Sequence, residues 1–376
     1  TGNTYRHNYI GQSWTSDGWQ MSGGRACKGG YRITQNIFYA SAENAIDGKG
    51  LANSVIESNF FAAHTSDSGG PGNGYNKGCG GTVGAGSGAT SENILVRNNT
   101  FYDNASAISA NNGWAVYNNT IVSMSRTGRD SKSSKGGKGC GVQGIGDAHK
   151  APTVVNNVIL TEGAAVSEGK PRWQYLDGNV YYAKGRFRSS LNSSWKYIVG
   201  FDNWENEVKR TRAKIAGREQ NSVGVGKVTD ALNSSSATKS LDYPFTNVTL
   251  SDVLKRAGNF RSKYGSGGAP VAVVKSSSSG KRVKVGSQWS SFCCRWPVHP
   301  RAQGKDEVII NGSRYRIVDI DRRKGELILN RSVRVKSGDG IDVDYPRGGT
   351  SRQRGSHGAS SGISRTTYEL LRGIAN

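Results

Sequence analysis

One spacing recurs through the first half of the chain and constrains it more than any other feature. An apolar residue is followed after two positions by an asparagine, and after one more by a second apolar residue. The pattern stands at Tyr5/Asn8/Ile10, Ile33/Asn36/Phe38, Ile56/Asn59/Phe61, Val96/Asn99/Phe101, Val116/Asn119/Ile121, Val154/Asn157/Ile159 and Leu176/Asn179/Tyr181. Successive asparagines lie 28, 23, 40, 20, 38 and 22 residues apart. Repeats of roughly 20–50 residues mark stacked architectures in which no unit buries its apolar face alone. These units are too short and too β-branched for helix pairs, and they lack the leucine framework of leucine-rich repeats. A parallel β-solenoid remains, with short strands turning a corner at each asparagine. A stacked asparagine can satisfy buried turn backbone by bonding to the rungs above and below. It also tolerates the left-handed backbone that tight corners demand. Asn98 and Asn118 begin N-x-T sequons, but the residues in register with the other copies are Asn99 and Asn119.

A second strand precedes each corner after the first by about 11–16 residues. Its inward residue reads in turn as Met21, Ile46, Val83, Ile108, Val142 and Val166. Side chains alternate between faces along a strand. Ser22, Asp47, Gly84, Ser109, Gln143 and Ser167 are therefore expected to face solvent, as are Gly24, Lys49, Gly86, Asn111, Ile145 and Gly169 two residues on, of which Ile145 breaks the polar or small pattern. The two long asparagine spacings are explained by insertions at 62–81 and 125–139. The second insertion carries Arg126, Arg129, Lys132, Lys135 and Lys138 against Asp130, and reads as a cationic flap.

After Tyr182 the corner spacing stops. Residues 203–216 have helical composition, with Asn203 as a candidate cap. Their apolar content is thin, which predicts a surface helix. A short helix is expected at 250–258 and a serine-rich linker at 276–280. Residues 307–345 alternate and are punctuated by Asn311-Gly312, Lys324-Gly325 and Asp339-Gly340, which predicts four or five antiparallel strands. The expected class is all-β: a right-handed parallel β-helix with a small antiparallel module at its C-terminus. Its segments are a solenoid over 1–200, an irregular segment with short helices packing on it over 201–275, a linker and β-rich module over 276–346, and a basic low-complexity tail over 347–376.

The formal charge of +22 is uneven. Residues 1–110 hold seven Lys/Arg against seven Asp/Glu, whereas residues 271–376 hold twenty against nine. A basic surface attracts polyanions, whether acidic polysaccharide, nucleic acid or anionic membrane. No run of residues is long and apolar enough to read as a membrane span, and no zinc spacing links the five cysteines to the scattered histidines. A disulfide between two of Cys27, Cys79 and Cys140 is compatible with their glycine-rich loops, and the odd cysteine admits pairing between chains.

The chemistry-bearing residues cluster in AENAIDGKG, where Asp47 and Lys49 read as one outward face above small neighbours. His64 and Asp67 in the following insertion would wall that floor, and Lys77 and Arg97 add cations nearby in sequence. Trp114 is a candidate for stacking on a sugar ring.

With the rungs NSVIESNFF, NILVRNNTFYDN, WAVYNNTIV and PTVVNNVIL, that stretch resembles secreted right-handed parallel β-helix proteins of the pectate-lyase-like superfamily, over about residues 1–183. Residues 307–345 resemble the β-rich region that follows the solenoid in some bacterial members. The resemblance implies an extracellular protein that binds a long acidic polysaccharide along a groove beside one parallel sheet. In lyases of this kind a Lys or Arg removes the proton α to a uronate carboxylate, which calcium or basic side chains neutralise. Carried over, Lys49 would be the base and Asp47 its partner or a calcium ligand. Arg97, His64, Arg126 and Arg129 would then complete the site. A lysine base has to lose its proton near neutral pH, and a neighbouring carboxylate opposes that. Hydrolysis would instead need two carboxylates about 5–9.5 Å apart, for which Asp47 and Asp67 are the candidates. The competing expectation is a non-catalytic surface or filament protein on the same solenoid, capable of self-association. Nucleic-acid binding is allowed by charge but supported by no recognition signature.

Overall fold

A computed structural model describes residues 3–6, 8–11, 17–20, 30–39, 41, 44–62, 64, 82–84, 91–102, 104, 106–110, 113–123, 140–144, 152–161, 163–168, 175–189, 196–211, 219, 222–225, 270, 272–286, 288 and 307–344. The repeats form a parallel solenoid with three sheets. Sheet A takes the strand before each ladder asparagine: Thr4–Arg6, Arg32–Thr34, Ala52–Glu57, Glu92–Arg97, Ala115–Tyr117, Thr153–Val155 and Tyr175–Asp177. Sheet B takes the strand after it, from Tyr9–Gly11 to Val180–Tyr182, and ends on Val223–Val225. Sheet C collects the third strand of each rung, from Trp19–Gln20 to Arg186–Ser189, and is closed by the antiparallel strand Lys196–Val199. Equivalent apolar residues stack in register on sheet A, as Val96↔Val116 and Val116↔Val154.

All seven corner asparagines join one ladder. The side-chain amides of Asn8, Asn36, Asn59, Asn99, Asn119 and Asn157 each donate to the Oδ1 of the next asparagine at 2.9–3.1 Å, ending on Asn179. That same Oδ1 also accepts the backbone N–H of the preceding rung, as between Asn59 and Asn99 at 2.9 Å. The left-handed residue is not the ladder asparagine but the one before it: Gln35, Ser58, Asn98, Asn118, Asn156 and Gly178 all have φ between 55° and 64°. This explains the doubled Asn98-Asn99 and Asn118-Asn119, in which one asparagine bends the chain and the other bonds along the stack.

Inside the solenoid, Phe38, Phe61 and Phe101 stack at centroid distances of 4.9 and 4.7 Å. The inward residues of sheet C are Ile46, Val83, Ile108, Val142 and Val166, in the register the spacing predicts. The first rung differs, because Trp19 rather than Met21 pairs with Ile46 and Gln20 rather than Ser22 pairs with Asp47. Trp19 packs against the core and contacts Tyr5 at 4.7 Å, so the larger apolar surface takes the inward place.

The helix is Phe201–Thr211, and it is not a surface helix. Phe201, Trp204 and Val208, at i, i+3 and i+7, are buried in the solenoid core and close its C-terminal end. Asn203 does not cap this helix; its side chain donates to the Val199 carbonyl at 2.8 Å. Among the described residues no helix is long and apolar enough to cross a membrane.

A six-stranded antiparallel sheet follows, ordered Ala272–Val273, Gly340–Asp344, Glu307–Ile310, Ser313–Asp321, Glu326–Val335 and Ser278–Lys284. The expected serine linker therefore begins a strand, with Ser279 paired to Arg334. Asn311 and Gly312, both at positive φ, form the first reversal; in the third, Gly338 rather than Gly340 takes the left-handed position. One apolar cluster joins Val283, Leu327, Leu329 and Ile341 of this module to Val55, Leu95, Ala115 and Tyr175, so the module lies on the outer face of sheet A.

Candidate functional site

The outer row of sheet C places Gln20, Asp47, Gly84, Ser109, Gln143, Ser167 and Arg188 in successive register. It is not an open floor: Asp47 is 1% and Ser109 2% exposed. Arg188, which the repeat pattern did not reach, is also buried and lies 5.9 Å from the Tyr197 ring centroid. Burial lowers the pKa of its guanidinium, and Tyr197 acts in the opposite sense.

Strand Ile46–Asp47 stops after two residues, and the chain turns through Lys49 and Gly50, the latter at φ 76°. Lys49 is therefore not the next outward residue of an extended strand. The turn carries it back onto Asp47, with Nζ 2.6 Å from Oδ2 and the lysine side chain 44% exposed. Gln20 Nε2 donates to the same oxygen at 3.2 Å. The result is a buried carboxylate holding a half-exposed ammonium at the edge of sheet C.

Asp17 belongs beside this pair and was missed. Its Oδ1 accepts both the backbone N–H and the side-chain amide of Asn44 at 2.9 Å. Burial raises its carboxyl pKa and the Asp47 charge adds to that, while the Asn44 bonds and Lys49 oppose them. The signal was present: Asp17 precedes Asn44 by the same 27 residues that separate Gln20 from Asp47.

The other candidates do not gather around Lys49. His64 extends a second ladder, five residues beyond the first. The Ser41 backbone N–H donates to its Nδ1 at 3.1 Å, and its own N–H donates to Asn104 Oδ1 at 3.0 Å. Burial pushes the imidazole down to about 4, so it is neutral and structural. Asn104, which begins an N-A-S sequon, is a buried ladder member whose amide also donates to the Phe61 carbonyl at 3.0 Å.

Arg97 stands on sheet A, where its Nε lies 2.8 Å from Glu57 Oε2 and its Nη1 donates to the Tyr117 hydroxyl at 3.1 Å. Arg32 pairs with the other Glu57 oxygen. Burial by itself would raise the Glu57 carboxyl, but Arg97 and Arg32 outweigh it and hold it below the ordinary range. Trp114 is wholly buried in the core and presents no ring to a sugar. Asp67, Lys77, Arg126 and Arg129 lie outside the described residues, as do the first insertion beyond Ala62 and His64, the second insertion, the short helix at 250–258 and the cysteine side chains.

A calcium ion would require about six to eight oxygen ligands. Among the described residues no group of three or more His, Cys, Asp or Glu could hold a metal, and the Lys49 ammonium occupies the Asp47 oxygen where a cation would sit. These residues do not fit calcium. What they can do is present one cation, oriented by a carboxylate, at the rim of a parallel sheet. Comparisons with protein-family models, with curated proteins and with solved structures found no match for this chain.

Proposed function

We propose that this chain is an extracellular carbohydrate-active protein of the pectate-lyase-like kind, which binds an acidic polysaccharide along the rim of sheet C. The observation that carries the reading is Lys49, half-exposed and held at the rim of that sheet by buried Asp47. A uronate carboxylate meeting Lys49 would share its ammonium with Asp47, and the remaining sugar rings would continue along the solenoid axis. Successive rungs, about 4.8 Å apart, repeat at close to the length of one sugar.

Cleavage by β-elimination is the activity this residue would carry. A base takes the proton α to the uronate carboxylate, a carbon–carbon double bond forms, and the glycosidic oxygen leaves with a proton. Lys49 can act as that base only after giving up its own proton, and contact with Asp47 favours the ammonium. That contact supports the second reading, polysaccharide binding without turnover. An ultraviolet assay for unsaturated product on pectate, alginate and glycosaminoglycans separates the two, run beside binding titrations on wild type and Lys49→Ala. Product that depends on Lys49 supports the lyase. Binding that depends on Lys49 without product supports the second reading, and polysaccharide binding indifferent to Lys49 overturns the site.

A further inference from the structure

N-x-S/T sequons begin at Asn98, Asn104 and Asn118 in the solenoid, and at Asn192, Asn233, Asn247, Asn311 and Asn330 after it. The pattern alone is short, and the fold decides which asparagine can carry a sugar. Asn192, Asn233 and Asn247 lie outside the described residues. Asn98, Asn104 and Asn118 are 6%, 1% and 4% exposed. The amides of Asn104 and Asn118 donate to the Phe61 and Asn156 carbonyls, so a saccharide there would enter a closed corner and disturb a buried bond. Asn311 is exposed, but its Nδ2 donates to Asp339 Oδ2 at 3.1 Å and ties the first reversal of the module to the third.

Asn330 differs on each count. Strand Glu326–Val335 buries Leu327, Leu329, Val333 and Val335, and exposes Asn330, Arg331 and Ser332 between them. The register explains the break. On one side Gly280 pairs with Val333 and Arg282 with Ile328, so Lys281 alone spans the interval that Leu329, Asn330, Arg331 and Ser332 occupy. The strand bulges at the sequon, and a bulge re-aims the side chains it carries. On the other side the Arg316 N–H donates to Asn330 Oδ1 at 2.9 Å and holds the amide by its oxygen. No described group accepts from its Nδ2. Arg331 is pinned down, with its guanidinium 4.7 Å from the Tyr315 ring centroid and its Nη2 donating to the Arg314 carbonyl at 2.8 Å. Asn330 and Ser332 therefore stand exposed on either side of it. Beside them, a Cβ added at Gly280 would meet nothing within 4 Å.

We infer that Asn330 is the attachment site of an N-linked glycan, with Ser332 supplying the hydroxyl of its sequon. The inference rests on the extracellular setting proposed for this chain, and not on polysaccharide binding or on Lys49. The donor is a saccharide carried on a lipid diphosphate. Asn330 Nδ2 forms a bond to the anomeric carbon, and the bond from that carbon to the diphosphate oxygen breaks. The diphosphate leaves with the electron pair, and the amide gives up one proton to solvent. Oδ1 is untouched, so the bond from Arg316 survives. The bulky, polar glycan would cover the stretch of strand that does not pair with Ser278–Lys284.

The test is site occupancy in the full-length chain, exported through a eukaryotic secretory pathway. Enzymatic removal of N-glycans in heavy-oxygen water turns each occupied asparagine into a mass-labelled aspartate, which peptide mass spectrometry assigns. Secreted and cell-retained protein are both digested, so a chain that exports poorly is still read. Asn330 should be occupied in most secreted molecules, and Asn98, Asn104 and Asn118 in none. Ser332→Ala should remove the glycan from Asn330, and Ser332→Thr, which restores the hydroxyl, should keep it. Both changes are at an exposed position and should leave the thermal midpoint of the deglycosylated protein unmoved. An empty Asn330 in both pools overturns the inference, as does a signal there that survives Ser332→Ala. Occupied Asn98, Asn104 or Asn118 in folded, secreted protein overturns it too, because burial would then not select among the sequons. Polygalacturonate binding by the same samples reports on Lys49 alone, so a failure of that reading leaves the occupancy of Asn330 as it is measured.

Discussion

The hydroxyl of Tyr181 donates to Glu219 at 2.8 Å in a place that solvent does not reach. The same carboxylate oxygen accepts Trp204 Nε1 at 3.0 Å, and the other accepts the Ser222 hydroxyl. Ser222 in turn accepts the backbone N–H of Asn179 at 2.8 Å. The asparagine ladder therefore ends on a buried carboxylate, which also ties the closing helix to the last rung. Burial drives the Glu219 carboxyl up to about 7 from 4.5, although Ser222, Trp204 and Tyr181 all favour the charged form.

A carboxyl raised in the folded state binds more protons there than in the unfolded chain between those two values, so stability falls as pH rises from 4.5 to about 7. The loss should be on the order of 3 kcal/mol by linkage. Glu219→Gln keeps an acceptor oxygen for Tyr181 and Trp204, puts an amide nitrogen where the oxygen facing Ser222 stood, and removes the titration. Urea unfolding from pH 5 to 8 should show Glu219→Gln, which keeps His64, gaining stability up to about pH 6.5, where a His64→Asn protein, still carrying Glu219, declines. A His64→Asn protein without that decline would show that the Glu219 carboxyl does not titrate in this window.

His64 works in the opposite direction. Its imidazole is held neutral down to about 4 in the fold, against an ordinary value of 6.5. The unfolded chain therefore binds the extra proton first, and stability is lost as pH falls through that window. Asn104 occupies the next position of the same ladder, so His64→Asn should fit and should abolish the acid-side loss. In wild type the two slopes oppose each other between about 4.5 and 6.5, and the pH profile there should be nearly level. Only the single variants expose each group.

The ladder makes a sharper demand. Removing the Asn99 side chain leaves the Asn59 N–H, the Asn59 amide and the Ile56 carbonyl without these bonds in a dry corner. Each buried group left unsatisfied costs about 1–3 kcal/mol; the Asn59 amide keeps its bonds to the Ile33 and Glu57 carbonyls, so Asn99→Ala should lose at least about 2 kcal/mol. Asn8 starts the ladder at an exposed position, and Asn8→Ala should cost under about 1 kcal/mol. Comparable shifts in the urea midpoints of the two variants would mean that the stack does not act as a buried network.

The ladder and the sheet A register were readable because one residue type does one job on every rung: an asparagine whose amide spans the rung spacing is hard to replace. The second ladder was hidden for the converse reason. His64 and Asn104 offer an imidazole nitrogen and an amide oxygen to similar backbone groups, so no letter repeats. The closing helix escaped notice because Phe201, Trp204 and Val208 look sparse among polar residues, yet three large side chains suffice to cover the end of a narrow core. Lys49 was misplaced by one assumption, that the strand continues. Gly48-Lys49-Gly50 turns instead, and the Leu51 N–H bonds back to the Gly48 carbonyl at 2.9 Å.

That turn sets the last prediction, on Asp47→Asn. Asparagine can still accept the Gln20 amide, so the buried contact survives while the charge that holds Lys49 is lost. A half-exposed ion pair is worth up to about 1 kcal/mol, and an acidic ligand no longer competes with Asp47 for the ammonium. Affinity for polygalacturonate should rise by up to about fivefold at low salt, and the gain should shrink as salt screens the charges. Asp17 should also titrate closer to its ordinary range, because the Asp47 charge helps to raise it. A fall in affinity, in place of the rise, would mean that Asp47 orients Lys49 for the ligand. The carboxylate would then be part of the recognition surface and not a competitor for it.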